Sequence, residues 1–141
     1  MKLISFFVFF IVLSYSSMSQ SLKGEWVGRF KDNDDNNYRI KLFFIQNKDS
    51  SYNVFSYSKG QDIYGHDTIV VCKVMYKTLN DGSIFLEETK VLKPEKVASN
   101  ICLQKMNLSL YIEGNEKRLE GTWENTSKKC GLNGSISFLK K

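Results

Sequence analysis

The chain has 141 residues, a formal net charge of +5, three cysteines and one histidine. This length accommodates one domain with a modest hydrophobic core. The basic residues are spread along the chain, which argues against a nucleic-acid-binding protein. One histidine and the lack of a Cys-x-x-Cys motif argue against a zinc site.

The first residues indicate export. Lys2 is followed by an apolar run over residues 3–13 and by small polar residues at 14–19. This order is typical of a cleavable secretory signal, and the apolar run is short for a membrane span. We predict a signal peptide at 1–19 and one domain at 20–141, secreted or periplasmic, with no membrane span in the mature chain. An uncleaved membrane anchor is the alternative.

Beyond residue 20, apolar and polar residues alternate with a period of two, and the runs are bounded by Gly, Asn, Asp and Ser. This pattern predicts β-strands. It is clearest where Met106, Leu108 and Leu110 alternate with Lys105, Asn107 and Ser109. The predicted strands are 24–30, 38–46, 52–58, 68–78, 83–92, 101–112, 118–124 and 134–140.

The predicted connections alternate between long and short. The long ones are 31–37, 59–67, 93–100 and 125–133, and the short ones are 47–51, 80–82 and 113–116. In an up-and-down meander every second connection lies at the same end, so the long loops share one end. Closing the sheet would remove its two edges. We predict an all-β, eight-stranded antiparallel up-and-down β-barrel, with an aligned β-sandwich as the alternative.

Two cysteines fall at the long-loop end. Cys102 lies on the sixth predicted strand, and Cys130 lies in the loop that enters the eighth. Export permits disulfides, so we predict a Cys102–Cys130 bond if the last loop folds back over the rim. Cys72 is in phase with Val70 and Val74, which predicts a buried, inert thiol.

A short motif carries a family resemblance. Gly24-Glu25-Trp26, on the first strand of an exported eight-stranded meander, is similar to the lipocalins and the wider calycin group. The segment Leu119-Glu120-Gly121-Thr122-Trp123 repeats the pattern of residues 22–26 and resembles the start of avidin-type barrels. The whole chain is also similar to small bacterial secreted proteins of unknown function. The chain is shorter than a typical lipocalin and lacks an obvious C-terminal helix. The resemblance implies a barrel that binds a small ligand.

Aromatic side chains dominate the predicted interior. Trp26, Phe30, Tyr38 and Trp123 are expected to point inward and to line a ligand pocket. The same rings would equally fill an eight-stranded barrel, whose interior is small. Both alternatives stay open.

The chain offers few candidate catalytic residues. Glu87 and Glu88 point to opposite faces of a strand and cannot act together as a glycosidase pair. An inward carboxyl needs a partner or a raised pKa, which makes Glu88 a candidate ligand-orienting group. His66 and Asp67 are adjacent, so their side chains diverge, and no nucleophile elbow is present. We predict no catalytic residue and no enzymatic activity.

Residues 32–37 resemble the start of a calcium loop. Asp32, Asp34 and Asn36 occupy alternating positions, but Asn37 stands where such a loop needs Gly and Phe43 where it needs Glu. An EF-hand is therefore excluded, and a weak calcium site or an acidic turn remains. We predict no metal and no cofactor.

These features predict a monomeric, non-enzymatic secreted binding protein. Its partner would be a small apolar or amphipathic ligand that enters at the long-loop end. In the alternative, the barrel is filled and its loops bind a protein partner, as in an inhibitor or adhesion module. Ile63, Tyr64 and Leu132 are the exposed apolar residues that such a partner would contact.

Overall fold

The computed structural model describes residues 21–61, 64–96, 101–127 and 130–141, so the predicted signal peptide lies outside the described residues. No helix in the described part is long and apolar enough to cross a membrane. Its elements are β1 (Gly24–Asp32), β2 (Asn37–Gln46), β3 (Tyr52–Gln61), β4 (Asp67–Thr78), β5 (Ile84–Lys93), β6 (Gln104–Glu113), β7 (Glu116–Asn125) and β8 (Asn133–Lys140).

The eight strands close into one antiparallel barrel in chain order. Each strand pairs with the next, and β8 pairs back onto β1, with Trp26 opposite Lys140 and Asp32 opposite Gly134. Closure removes the free edges of the first and last strands. The predicted up-and-down barrel is confirmed, and the β-sandwich alternative is wrong.

Two-residue alternation determines which side chains face the interior. On β1 the buried residues include Trp26 and Phe30, and on β6 they include Met106 and Leu108, as the sequence pattern predicted. The hydrophobic core comprises Leu22, Trp26, Phe30, Ile40, Leu42, Phe44, Val54, Val74, Ile84, Leu86, Met106, Leu108, Leu119, Trp123, Ile136 and Phe138.

The end of the barrel that carries the tight turns is packed with aromatic rings. Phe44 makes edge contacts with Trp26, Tyr52 and Tyr76, with ring centroids 5.8–6.4 Å apart. The indole Nε1 of Trp26 donates to the carbonyl of Leu22 at 2.8 Å, so the segment before β1 is held against the core. This half of the barrel is therefore filled by side chains.

The loop lengths differ from the predicted alternation, because several strands extend further than the sequence pattern indicated. The connections at 33–36 and 62–66 are no longer than the turns at 47–51 and 79–83 at the other end. The strict alternation was therefore wrong. In an up-and-down barrel, chain order and not loop length determines the end at which a connection lies. The prediction that the four connections predicted as long share one end of the barrel is confirmed. We call this end the mouth.

The disulfide joins the two long connections of the mouth, 94–103 and 126–132. Cys102 and Cys130 are bonded, with Cα atoms 6.2 Å apart, which confirms the predicted pair. The sequence analysis placed Cys102 on the sixth strand, but β6 begins at Gln104, so Cys102 lies in the connection before it. The start of the last loop lies beside the segment that carries Cys102, since the backbone N–H of Thr126 donates to the carbonyl of Leu103 at 2.8 Å. Cys72 is a buried free thiol.

Removing this bond should destabilise the barrel. The bond closes a loop with a sequence separation of 28, for which chain entropy gives about 3–4 kcal/mol of the free energy of unfolding. We expect the double variant Cys102→Ser, Cys130→Ser to lose that amount in urea denaturation. A reductant should destabilise the wild-type protein equally and leave the double variant unchanged. Peptide mapping that finds Cys72 in a bridge would contradict this assignment.

Candidate functional site

The mouth half of the barrel contains a recess of about 1050 Å³ that opens between the loops. Buried residues such as Val70 and Glu88 line it inside, and the disulfide contributes to its rim. Its full lining is Phe30, Asn37, Tyr38, Arg39, Ser58, Lys59, Gly60, Val70, Cys72, Glu88, Ile101, Cys102, Gln104, Trp123, Asn125, Cys130 and Leu132.

The recess lies where β5 and β6 separate. Their pairing extends only from Ile84–Leu108 to Glu87–Lys105, while β6 and β7 pair along their full length. The pairing of β5 with β4 shifts register twice, which leaves Thr89 and Leu92 without an opposing residue. Such bulges bend a strand and disrupt its ladder, and they are common at barrel rims. The bend in β5 therefore opens space at the mouth.

A polar floor, formed by Ser56, Cys72, Glu88 and Gln104, lies where the ladder stops. Glu88 is only 5% exposed. Its Oε1 accepts a hydrogen bond from the Ser56 hydroxyl, and its Oε2 accepts one from the backbone N–H of Gln104 at 3.0 Å. Each carboxylate oxygen keeps acceptor capacity for a further donor. Among the described residues, no ion pair involves Glu88.

The floor has unusual protonation properties. Burial raises the pKa of Glu88 above its ordinary value of 4.5, and the hydrogen bonds from Ser56 and Gln104 only partly oppose this. Burial, reinforced by the charge of Glu88, also raises the pKa of the Cys72 thiol to about 12. Cys72 therefore remains a neutral thiol, in agreement with the predicted inert cysteine.

Gln104 was not recognised in the sequence as a site residue. It is 8% exposed, it lines the recess, and its side-chain Oε1 is buried without a hydrogen-bond partner. A buried acceptor without a partner costs about 1–3 kcal/mol. The available signal was its phase, because two-residue alternation places it on the same face as Met106 and Leu108.

Three rings form an aromatic wall along the recess. Phe30 stacks on Tyr38 at 4.8 Å between centroids and meets Trp123 edge-on at 4.6 Å. The Nε1 of Trp123 donates to the carbonyl of Lys31 at 3.0 Å. Gly134 permits this contact, since a Cβ there would lie 1.8 Å from the same carbonyl oxygen. The wall is therefore held in place before any ligand arrives.

The acidic turn that begins at Asp32, the buried last residue of β1, supports the wall. The carboxylate of Asp32 accepts hydrogen bonds from the backbone N–H groups of Asp34 and Asn36, from the Asn36 amide and from the Tyr38 hydroxyl, at 2.9–3.1 Å. These bonds, chiefly from Asn36, lower the pKa of Asp32. The described residues contain no group of three His, Cys, Asp or Glu that could hold a metal ion. The geometry favours an acidic turn that positions Tyr38.

Four of the five predicted ligand residues line the recess: Phe30, Tyr38, Glu88 and Trp123. Trp26 does not. It is completely buried near the start of β1, in the filled half of the barrel. Its placement in the pocket is corrected, because facing the interior does not determine at which depth a residue lies.

The loop residues singled out in the sequence differ in their exposure and in whether they line the recess. His66 is exposed, with its ring 6.2 Å from that of Tyr64, which is itself 77% exposed. Leu132 is partly exposed and lines the recess. Ile63 lies outside the described residues.

No protein-family model matches the chain, and no curated protein matches it. Among solved structures, the chain is similar to a redesigned β-barrel, with 16% sequence identity and a TM-score of 0.46. That match covers 89% of this chain and 98% of the other.

The buried carboxyl should make stability depend on pH. Because the folded-state pKa of Glu88 is raised, its full contribution is present below the ordinary glutamate pKa and is lost as pH rises through the folded pKa. We expect Glu88→Gln to gain stability relative to wild type across that window, by about 1.4 kcal/mol per unit of pKa shift. Urea denaturation between pH 4 and pH 9 measures this difference. The matched control is Glu87→Gln, on the opposite face of β5; a pH-independent difference for Glu88→Gln would refute the assignment.

Proposed function

We propose that the chain is a secreted binding protein that takes one small amphipathic molecule into the recess. The observation that carries this proposal is the composition of the recess. An aromatic wall leads to a buried carboxyl and to an amide oxygen that lacks a partner. Apolar surface with a few convergent polar groups is typical of ligand sites.

The size of the recess fits this function. Ligand pockets commonly measure about 300–1000 Å³, and the recess, at about 1050 Å³, lies just above that range. The resemblance of Gly24-Glu25-Trp26 to the lipocalin motif agrees with a barrel that carries a small molecule at one end.

Binding of a protein partner by the loops is supported less well. That alternative requires a solid barrel, whereas a recess occupies the mouth. Exposed Tyr64 is the main apolar residue that favours it. A small ligand accounts for the buried polar floor, which a loop-binding protein would not reach.

Export is part of the proposal. The bonded pair Cys102–Cys130 is compatible with an extracellular location, where disulfides persist. The signal pattern at residues 1–19 supports the same location.

Expression in a secreting host should yield a product whose intact mass matches a chain that begins at Gln20. A product that keeps residues 1–19 and stays with the membrane fraction would instead support the uncleaved anchor.

Blocking the recess should abolish binding. Ser58 lies on β3 and lines the recess, so Ser58→Trp places an indole inside it. We expect the neutral probe N-phenyl-1-naphthylamine to fluoresce on binding to wild type and to lose at least about tenfold in affinity with Ser58→Trp. Tyr57→Trp is the matched control, since Tyr57 neighbours Phe43 on the other face. Equal binding by both variants, or none by wild type, would rule out the recess as the site.

A further inference from the structure

We propose that the polar group of the ligand is a protonated amine, which binds Glu88 and Gln104 while its apolar body packs on the aromatic wall. This inference rests on the proposed function of the recess and adds the chemical class of the ligand. It depends on the charge, the hydrogen-bonding capacity and the surroundings of the polar floor.

The charge of Glu88 gives the first argument. Its carboxyl is almost fully buried, and no ion pair with another described residue involves it. A buried carboxylate is costly unless a cation and hydrogen bonds compensate it. An ammonium group in the recess supplies the missing positive charge, whereas a carboxylate or phosphate would add a second negative charge beside the first.

The hydrogen-bonding capacity of the floor gives the second argument. The side-chain oxygen of Gln104 has no donor, and each Glu88 oxygen has a single described donor. All three atoms are acceptors when Glu88 is ionised. A primary ammonium carries three donors and no acceptor, so it matches this set. A carboxylate or phosphate brings acceptors, and a hydroxyl brings only one donor.

The aromatic wall gives the third argument. Phe30, Tyr38 and Trp123 line the same recess as the floor. Aromatic faces attract cations as well as apolar groups, with Trp the strongest. An amine with an aromatic or alkyl body therefore finds both of its parts complemented in one cavity.

The other charged and titratable groups around the recess do not reverse its preference for a cationic ligand. Arg39 and Lys59 also line it, but both are exposed, and solvent and salt screen exposed charges. Cys72 stays neutral, and burial together with Asp32 raises the pKa of the Tyr38 phenol, which is neutral too. Among the described residues that line the interior of the recess, Glu88 is therefore the acidic group that a ligand cation would meet.

Three 3-substituted indoles test the inference: tryptamine is a cation, 3-propylindole is its neutral isostere and indole-3-propionate is a slightly larger anion. We expect calorimetry on wild type to show tryptamine binding at least about tenfold more tightly than 3-propylindole, with indole-3-propionate weakest. Glu88→Gln should remove the preference for tryptamine without weakening 3-propylindole, and Glu87→Gln should retain it. Thermal melts confirm that both variants are folded.

The pH dependence gives an independent readout. The affinity of wild type for tryptamine should rise with pH as Glu88 ionises, until the amine itself loses its proton near about pH 10. Below the folded pKa of Glu88, binding should release a proton, which calorimetry in buffers of different ionisation enthalpy detects. The Glu88→Gln variant should show neither effect.

The outcomes separate this inference from the proposed function. If 3-propylindole binds as tightly as tryptamine and Ser58→Trp blocks both, the recess binds ligands but the amine class is wrong. If indole-3-propionate binds most tightly and Arg39→Gln weakens it, the ligand is an anion held at the rim, and the inference is overturned. If none of the three probes binds, both proposals fail.

Discussion

One buried carboxylate connects three strands at the point where the barrel ladder is interrupted. Glu88 extends from β5, accepts a hydrogen bond from Ser56 on β3 and accepts another from the backbone N–H of Gln104 at the start of β6. Paired strands lie about 4.8 Å apart, so a backbone ladder leaves no room for a cavity between them. A side chain reaches further than a backbone carbonyl. Glu88 therefore links β6 to β5 where their backbone ladder has stopped, and this break forms one side of the recess.

The Leu-x-Gly-x-Trp pattern occurs twice, and its two tryptophans lie at opposite ends of the barrel because they occupy different positions along their strands. Trp26 follows the start of β1 and lies in the filled half, where its indole donates to the carbonyl of Leu22. Trp123 comes near the end of β7 and lies at the mouth, where its indole donates to the carbonyl of Lys31. The local pattern buries both rings. Position along the strand decides that one fills the barrel and the other lines the recess.

Much of the fold was predictable because the signal is local. Alternation identified every strand and most inward faces, including that of Glu88. The bulges at Thr89 and Leu92 were not predictable, since a bulge depends on the register of the neighbouring strand. Gln104 was missed because the sequence does not show where the pairing of β5 with β6 stops, and that break leaves Gln104 at the recess. Trp26 was placed too near the mouth because a period of two specifies a face and not a depth.

The composition of the polar floor supports the proposed binding site. In a structural polar network within a core, every polar group has a hydrogen-bond partner, because each buried polar group without one is costly. Here the side-chain oxygen of Gln104 has no partner, and burial raises the pKa of Glu88. Apolar residues such as Leu86 and Met106 occupy equivalent inward positions on the same strands. The Glu88 carboxyl and the side-chain oxygen of Gln104 both line the recess, and each is costly in the free protein. A ligand with a positive charge and hydrogen-bond donors would stabilise both groups.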